Sequence, residues 1–354
     1  MNSPSALQRR RMSIGARIVV ATMAVQGCAS HRPIQMDIRA DASFDLVWPE
    51  APEAPRIRFL RSVYGPGDLG ASRSIFGRMA DFVLGEPEEL RVRQPYGIAV
   101  DSAQKIYVAD QASPGVHVFD PITGKHRLFR GTNRTPFELP VGVAVDDRGR
   151  IYVADSQAGF VLGMSPDGDE FLRISEGLQR PVGLAYDNER DLLYVVDVLR
   201  HEVLVFDSAG ILVRVLGGRG TGTGRMNYPT NVAVGSDGLV YVTDTMNFRV
   251  HTYGPEGELL SSFGENGNRP GEFARPKGIG VDSEGHIYVV EGLFDAINVF
   301  DRSGKLLLSF GSPGSRPGEF WLATGLFVDA RDRVYVADSF NGRLQVFQYL
   351  RGVD

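Results

Sequence analysis

The sequence predicts an all-β fold, a six-bladed β-propeller built from four-stranded antiparallel blades. Its main evidence is an internal repeat in which one tyrosine recurs at steps of 45, 42, 47, 47 and 47 residues. The aligned tyrosines are Tyr107, Tyr152, Tyr194, Tyr241, Tyr288 and Tyr335. Each repeat contains four short segments rich in branched and aromatic residues, separated by turns with glycine and aspartate, as propeller blades do.

Each repeat begins with a turn and continues through four strands in a fixed order. In the first repeat the turn at 95–97 leads into a first strand at 98–101, and a polar hairpin connects it to a second strand at 106–110. A short loop precedes the third strand at 116–120, and another turn precedes the outer fourth strand. Because neighbouring strands run antiparallel, the turn before the first strand and the loop after the second lie on one face, here called the upper face.

The end of the sixth repeat predicts how the ring closes. That repeat stops at 347–350 after three strands, whereas residues 57–62 have the pattern of a fourth strand and no repeat of their own. We therefore predict that this N-terminal strand completes the last blade, which removes a free sheet edge. The propeller then spans residues 57–354.

One insertion interrupts the regular pattern, between the closing strand and the first repeat. Around residues 72–84 it places Ile75, Met79, Phe82 and Val83 at helical spacing. The sequence predicts a short helix here, which either caps the propeller or docks on a membrane or a partner.

Residues 1–27 combine a basic start, a short apolar run and a glycine directly before Cys28. The apolar run, residues 18–25, is too short to span a bilayer. The segment resembles a bacterial lipoprotein signal peptide, and this resemblance implies cleavage before Cys28 and attachment of lipid to that cysteine. An ordinary secretory signal with an incidental cysteine is the alternative.

After this leader, residues 28–56 are polar and contain repeated X-Pro sequences, which keep a chain extended. We interpret the segment as a tether between a lipid anchor and the propeller. By resemblance to lipoproteins sorted in the enteric manner, Ala29 stands where an aspartate would mark retention in the inner membrane. The sequence thus predicts a protein of the bacterial cell envelope, with the outer membrane favoured, on its periplasmic or surface-exposed side.

Two short motifs identify the type of repeat. A Gly-Glu-Phe linker occurs at 271–273 and at 318–320, and an Asp-x-x-Asn-x-Arg element begins at Asp244 and at Asp338. These features resemble NHL repeats, and the resemblance implies a six-bladed propeller over the whole repeat region. In the other four repeats the Asn and Arg positions hold different residues, so the resemblance implies no function that needs an intact set in every blade.

Charge and cysteine content exclude several classes of site. The formal net charge is −5, and the leader holds four arginines and no acid, which leaves the rest of the chain at −9. A nucleic-acid surface needs clustered positive charge, so we expect no nucleic-acid partner. A single cysteine excludes disulfide frameworks and cysteine-based zinc or iron–sulfur sites.

An acidic residue ends the second strand of every repeat. The six are Asp110, Asp155, Asp197, Asp244, Glu291 and Asp338. A ring of carboxylates is a candidate cation site, because hard cations prefer several oxygen ligands. A residue that recurs once per blade is, however, typical of a structural role in its own turn, and six side chains around a wide ring do not all reach one ion. We interpret these acids as structural elements of the repeat.

The alternative to a binding protein is an extracytoplasmic metal-dependent enzyme. By resemblance, peptidyl-hydroxyglycine lyases share this type of propeller and use histidine-bound zinc, and lactonases of the gluconolactonase type use calcium. Nothing in the spacing of the six histidines brings three of them together, as such a zinc site requires. Only Glu291 and Asn231 are unusual polar residues near the expected central channel. We predict no catalytic residue, no metal ligand and no cofactor, and keep the lyase or lactonase type as the second hypothesis.

The repeats differ from one another on the upper face. Drift at solvated loop tips favours small polar residues, whereas these loops carry large aromatic and cationic side chains, which protein interfaces enrich. The residues predicted to bind a partner are Tyr96, Arg200, Phe248, Lys277, Phe294 and Phe340. The sequence thus predicts a non-enzymatic binding or scaffold module, lipid-anchored in the envelope, that engages a protein or peptide partner.

Overall fold

The computed structural model describes residues 38, 40, 41, 43–69 and 91–351. Within these residues the protein is all-β, and six antiparallel blades form the predicted propeller. The signal peptide predicted at 1–27, Cys28 and the helix predicted around 72–84 lie outside the described residues. In the part of the chain that is described, no helix has the length and apolar character needed to cross a membrane.

The strands are numbered in chain order. Two precede the repeats: β1 (Val47–Trp48) and β2 (Ile57–Val63). The first blade comprises β3 (Pro95–Val100), β4 (Ile106–Asp110), β5 (Gly115–Phe119) and β6 (His126–Phe129). The second comprises β7 (Pro140–Val145), β8 (Ile151–Asp155), β9 (Phe160–Met164) and β10 (Glu170–Ile174). The third comprises β11 (Pro181–Asp187), β12 (Leu192–Asp197), β13 (Glu202–Asp207) and β14 (Leu212–Gly217).

The remaining blades follow the same order. The fourth comprises β15 (Pro229–Val234), β16 (Val240–Asp244), β17 (Arg249–Tyr253) and β18 (Leu259–Phe263). The fifth comprises β19 (Pro276–Val281), β20 (Ile287–Glu291), β21 (Ala296–Phe300) and β22 (Leu306–Phe310). A short parallel pair, β23 (Ser312–Pro313) and β24 (Glu319–Phe320), precedes the sixth blade. That blade contains β25 (Ala323–Val328), β26 (Arg333–Asp338) and β27 (Arg343–Tyr349), and two 3-10 turns cover Pro66–Leu69 and Thr245–Asn247.

The hydrophobic core lies between the blades. One cluster joins Tyr152 and Ala154 of the second blade to Leu193 and Val195 of the third. Comparable clusters occupy the other five junctions of the described structure. The second strands are therefore covered on both faces and read as nearly continuous apolar runs, and each blade depends on both of its neighbours for burial.

In five of the six blades, one glycine of the innermost strand lies against the backbone of the neighbouring blade's innermost strand. A Cβ atom at Gly142 would lie 1.9 Å from the Val182 carbonyl oxygen, and one at Gly325 would lie 1.8 Å from the Tyr96 carbonyl oxygen. This close approach requires glycine as the third residue of the first strand, because any Cβ atom there would meet the neighbouring backbone. In the fourth blade Asn231 stands at this position instead.

The N-terminal strand closes the ring, which confirms the predicted closure. β2 pairs antiparallel with β27, with Ile57 opposite Tyr349. β1 adds a fifth strand outside β2, so the sixth blade is one strand wider than predicted. This strand lies within residues 28–56, and its Trp48 ring is 5.6 Å from the ring of Phe310.

On the inner side of the ring, hydroxyl groups join the sixth blade to the first. Thr324 and Ser339 donate hydrogen bonds to the Pro95 carbonyl oxygen at 3.3 and 2.6 Å. At the junction of the fourth and fifth blades, Thr245 donates to the Pro276 carbonyl oxygen at 2.8 Å in the same way. Closure thus combines strand pairing at the rim with hydroxyl contacts at the centre.

We expect Phe59→Ala to destabilise the propeller strongly. Phe59 on β2 is 1% exposed, and its ring lies 5.7 Å from the ring of Phe347 in the last repeat. Removing a buried phenylalanine side chain costs about 3–5 kcal/mol of unfolding free energy, which chemical denaturation measures. Phe44→Ala is the control, because Phe44 is 41% exposed. Equal losses in the two variants would contradict the role of β2 in closure.

Candidate functional site

Each blade holds one buried carboxylate where its second strand ends, at the upper face. The fully buried Asp155 accepts the backbone N–H groups of Glu138 and Leu139, which precede the first strand. It also accepts those of Gln157 and Ala158, which follow the second strand, at 3.1 and 2.9 Å. Since four donors surround it, this carboxylate ties the two upper-face loops of its blade together.

The same arrangement recurs with other donors in the blades that keep the Asp-x-x-Asn-x-Arg element. Asp338 accepts a hydrogen bond from Arg343 Nε at 2.6 Å and one from Asn341 Nδ2 at 2.9 Å. In the fourth blade the side chain of Arg249 donates to Asp244 in the same way, at 3.0 Å. Charged and amide side chains here take over bonds that backbone N–H groups make in the second blade.

Third strands add to this network where they supply a polar side chain. His251 Nε2 lies 3.1 Å from a carboxylate oxygen of Asp244, and Gln345 Nε2 donates to Asp338 at 3.1 Å. His117 approaches the acid of the first blade at 3.4 Å. These histidines are fully buried, and each is engaged within its own blade.

The other described histidines lie in separate parts of the ring. His201 Nδ1 accepts a backbone N–H group of the next blade at 3.0 Å, and His286 Nδ1 lies 2.9 Å from Asp282. Burial, together with the neighbouring His117, lowers the pKa of His126 to about 4. Among the described residues, no group of three or more His, Cys, Asp or Glu side chains is placed to hold a metal ion.

We expect Asp155→Asn to lower the unfolding free energy by about 1.5–3 kcal/mol, because the amide turns one acceptor into a donor that faces backbone N–H groups. Urea denaturation measures the change. Asp167→Asn is the control, since Asp167 lies in an exposed turn of the same blade. If the two variants are equally stable, the buried carboxylate does not hold the upper-face loops.

Exposed apolar side chains cross the upper face from the third blade to the sixth. This set, here called the apolar arc, consists of residues that are 38–58% exposed: Leu199, Tyr228, Met246, Leu293, Phe294, Trp321 and Phe340. The rings of Trp321 and Phe340 lie 5.6 Å apart. The corresponding loop tips of the first and second blades carry Ala112 and Gln157. The apolar arc therefore occupies four consecutive blades.

The residues predicted to bind a partner lie in different environments. Phe294 and Phe340 are exposed members of the apolar arc. Phe248 has a positive φ of 56°, and its ring packs, partly buried, on the core between the fourth and fifth blades. Arg200 is held by Glu202 and by a backbone carbonyl oxygen, both at 2.8 Å. Phe248 thus contributes to packing at a blade junction, and two nitrogens of Arg200, Nε and Nη1, are engaged within the protein.

Tyr96 and Lys277 lie at the mouth of the central channel. Both are partly buried, and Lys277 Nζ is 5.9 Å from the centre of the Tyr96 ring. Burial, together with the charge of Arg275, lowers the pKa of Lys277 to about 8. Behind the mouth, the first strands of the six blades line a mainly aliphatic cavity of ≈ 200 Å³. Aliphatic side chains and glycines thus dominate the lining of the channel, and Lys277 lies at its upper end.

Leu199 and Leu293 belong to the apolar arc but are not among the residues predicted to bind a partner. Each stands two residues after the acid of its blade, as Met246 and Phe340 do in theirs. A comparison of the second residue after the acid in all six repeats therefore identifies these four members of the apolar arc from the sequence. No such rule identifies Trp321, because the corresponding residues of the other blades share no apolar character.

Comparison with known sequences bears on the type of repeat. The family model of the NHL repeat matches residues 137–161 and 226–253, which lie in the second and fourth blades. A comparison with the curated proteins finds no significant match. The predicted NHL repeats are thereby confirmed in two blades, one with an intact Asp-x-x-Asn-x-Arg element and one without it.

Solved structures share the fold at low sequence identity. One is a virginiamycin B lyase from Staphylococcus aureus, with 14% identity and a TM-score of 0.55, covering 73% of this chain and 95% of that chain. A gluconolactonase from Xanthomonas campestris has 17% identity and a TM-score of 0.56, covering 73% and 87%. A chain of a nidogen–laminin complex has 18% identity and a TM-score of 0.54, covering 71% and 87%. The protein is therefore a six-bladed β-propeller that carries NHL repeats.

Proposed function

We propose that this protein is a non-enzymatic binding or scaffold module that engages a protein or peptide through its upper face. The apolar arc is the observation that carries the proposal. Single exposed apolar residues are ordinary on a protein surface, whereas seven large ones gather here on four consecutive blades. Aromatic side chains such as Phe294, Trp321 and Phe340 are typical anchors of protein interfaces.

The backbone of the apolar arc is held in place by the buried acids. The N–H groups of Leu199 and Leu293 donate to the acids of their blades at 3.2 and 3.1 Å, and the N–H group of Trp321 donates to Asp338 at 2.8 Å. These bonds fix the loop tips in the free protein. Little conformational entropy is then lost when a partner binds, which favours affinity.

The second hypothesis is an extracytoplasmic metal-dependent enzyme of the lyase or lactonase type. A lyase and a gluconolactonase share the fold of this chain, and fold alone does not carry activity. His117, His201 and His251 are engaged in hydrogen bonds with other groups of the propeller, which favours the binding module. Metal analysis of the purified full-length protein separates the two hypotheses, because stoichiometric zinc or calcium would favour the enzyme.

The proposed envelope location rests on the resemblance of the N-terminal sequence to a lipoprotein signal peptide. In this proposal, acyl chains on Cys28 supply the membrane affinity, and the polar segment after it provides none. Ala29 favours the outer membrane over the inner one. The propeller would then work on the periplasmic or surface-exposed side of that membrane, tethered near its partner.

Cys28→Ser is expected to abolish lipid attachment and to release the protein from the membrane fraction, because the serine hydroxyl does not replace the cysteine sulfur in the lipidation reaction. Metabolic labelling with a fatty-acid analogue, followed by membrane fractionation, measures both effects. Ser30→Ala is the matched control and should label like the wild type. A wild-type protein that takes up no label would contradict the anchor.

The apolar arc is tested by combining Phe294→Ala with Phe340→Ala. We expect cross-linking to a native envelope partner, measured in intact cells, to be lost because two anchors are removed. The unfolding free energy should change by no more than about 1 kcal/mol, since surface substitutions usually shift it by about ±0.5 kcal/mol each.

The control for this pair is Ile122→Ala combined with Ile211→Ala. Both isoleucines are exposed, 43% and 64%, in turns after third strands, on the face opposite the apolar arc. The control pair should cross-link like the wild type. Loss of the partner in the control pair but not in the phenylalanine pair would place the binding surface on the opposite face.

A further inference from the structure

The mouth of the central channel carries Lys277, and the charges of two arginines act on the same neighbourhood. Lys277 belongs to the first strand of the fifth blade, Arg275 directly precedes that strand, and Arg180 directly precedes the first strand of the third blade. Lys277 Nζ lies 5.9 Å from the centre of the Tyr96 ring of the first blade, and Arg180 Nε donates a hydrogen bond to Ser156 Oγ at 3.2 Å. Burial raises the pKa of Tyr96, and the charges of Arg275 and Arg180 partly offset that effect. Three cations therefore act on the neighbourhood of one phenol.

The fold makes room for Lys277 at this place. A Cβ atom at Gly292 would lie 3.0 Å from Lys277 Cδ and 3.3 Å from the Ala323 carbonyl oxygen. In the fourth and sixth blades the corresponding positions hold Thr245 and Ser339, whose hydroxyls donate to a carbonyl oxygen of the next blade. In the fifth blade the corresponding residue is Gly292, which has no hydroxyl. The aliphatic part of the Lys277 side chain lies against this glycine.

The carboxylates whose charges act on Lys277 have other partners. Glu291 accepts the backbone N–H group of Arg275 at 2.8 Å, and Asp295 accepts that of Ala323 at 3.2 Å. Neither forms a salt bridge with Lys277 in the described part of the chain. A partly buried cation without a close counter-ion is unfavourable, and an anionic ligand at the mouth would relieve this cost.

We propose that the mouth of the channel is an anion site that binds a carboxylate, and that this carboxylate belongs to the peptide or protein that packs on the apolar arc. The second half of this inference rests on the proposed function, and the first half does not. Lysine, arginine and the tyrosine hydroxyl are all donors to carboxylate oxygens, and the charged ones give the stronger bonds. Lys277 lies against Gly292, which directly precedes Leu293 of the apolar arc, so a ligand with a carboxylate beside an aromatic or aliphatic group can reach both surfaces.

Charge distribution supports an anionic ligand at this position. The whole chain has a net charge of −5, so anions are repelled from it on average. Lys277 places a positive charge at the concave mouth, and such a charge attracts anions locally. We therefore expect the site to prefer an anion that can enter the mouth.

The test uses a small probe and the purified full-length protein. N-acetyl-L-phenylalanine carries one carboxylate beside one aromatic ring, and N-acetyl-L-phenylalaninamide differs only in lacking the charge. Isothermal titration at pH 7 should show binding of the acid at least about tenfold tighter than binding of the amide, which corresponds to about 1.4 kcal/mol. Acetate, which lacks the ring, should bind more weakly than the acid, because it does not reach the apolar arc.

Three lysine variants identify the group responsible. Lys277→Met should remove the preference for the acid, and Lys277→Arg should keep it because the charge remains. Lys305→Met is the matched control, since Lys305 is exposed at the start of an outer strand, away from the mouth. A melting curve for each variant shows that it is folded. If Lys277→Met still binds the acid more tightly than the amide, the proposed anion site is wrong.

A second measurement follows the charge of Lys277 directly. Nuclear magnetic resonance of methyl-labelled lysines should show one side chain that titrates near pH 8, and N-acetyl-L-phenylalanine should raise that pKa because an anion stabilises the ammonium form. The other charged or titratable groups that act on Lys277, namely Arg275, Asp295 and Glu291, are the same with both probes. If the pKa of Lys277 does not change when N-acetyl-L-phenylalanine is bound, the proposed contact between Lys277 and the carboxylate is wrong.

The outcomes separate this inference from the proposed function. If acid and amide bind equally, or neither binds while cross-linking to a native partner still depends on Phe294 and Phe340, the anion site is wrong and the binding module stands. If the acid is preferred through Lys277 but the phenylalanine variants keep their partner, the anion site stands, and its link to the apolar arc is wrong.

Discussion

The structure depends on a carboxylate buried at the upper end of the second strand in each blade. A charge removed from water is tolerated only when hydrogen bonds replace its hydration. For Asp155 these bonds come from two loops, one before the first strand and one after the second. The requirement to satisfy one buried charge thus determines the course of both upper-face loops, and it does so in every blade because the acid recurs.

Backbone groups make many of these bonds, and this leaves the side chains of the same loops free to differ. Leu199 and Leu293 donate their N–H groups to buried acids while their side chains lie exposed. Gln157 makes the same backbone bond with a polar side chain. A regular scaffold therefore carries an irregular surface, with the apolar arc on four blades and cations such as Lys277 at the channel mouth. Binding surfaces on repeat proteins commonly arise in this way.

Two phenylalanines from similar loops illustrate which parts of the surface were predictable. Phe294 and Phe248 both follow the end of a second strand and look equivalent in the sequence. Phe248 occupies the position of positive φ, and its ring turns onto a blade junction, whereas in the fifth blade Asp295 occupies that position and Phe294 precedes it. One residue of offset in a tight loop decides between packing and exposure. The two-residue strand β1 is too short to carry a periodic pattern, so its pairing with β2 was not predictable either.

The sequence by itself determined the number of blades, the order of the strands and the closing role of β2, because these follow from turn residues and from apolar patterns that repeat within about 45 residues. The tertiary structure decided which side chains share a surface. Tyr96 and Lys277 come from two blades far apart in the chain, and they meet only because the ring closes and brings the first strands to one centre. Local patterns specify local backbone, whereas distances between blades depend on how all six junctions pack together.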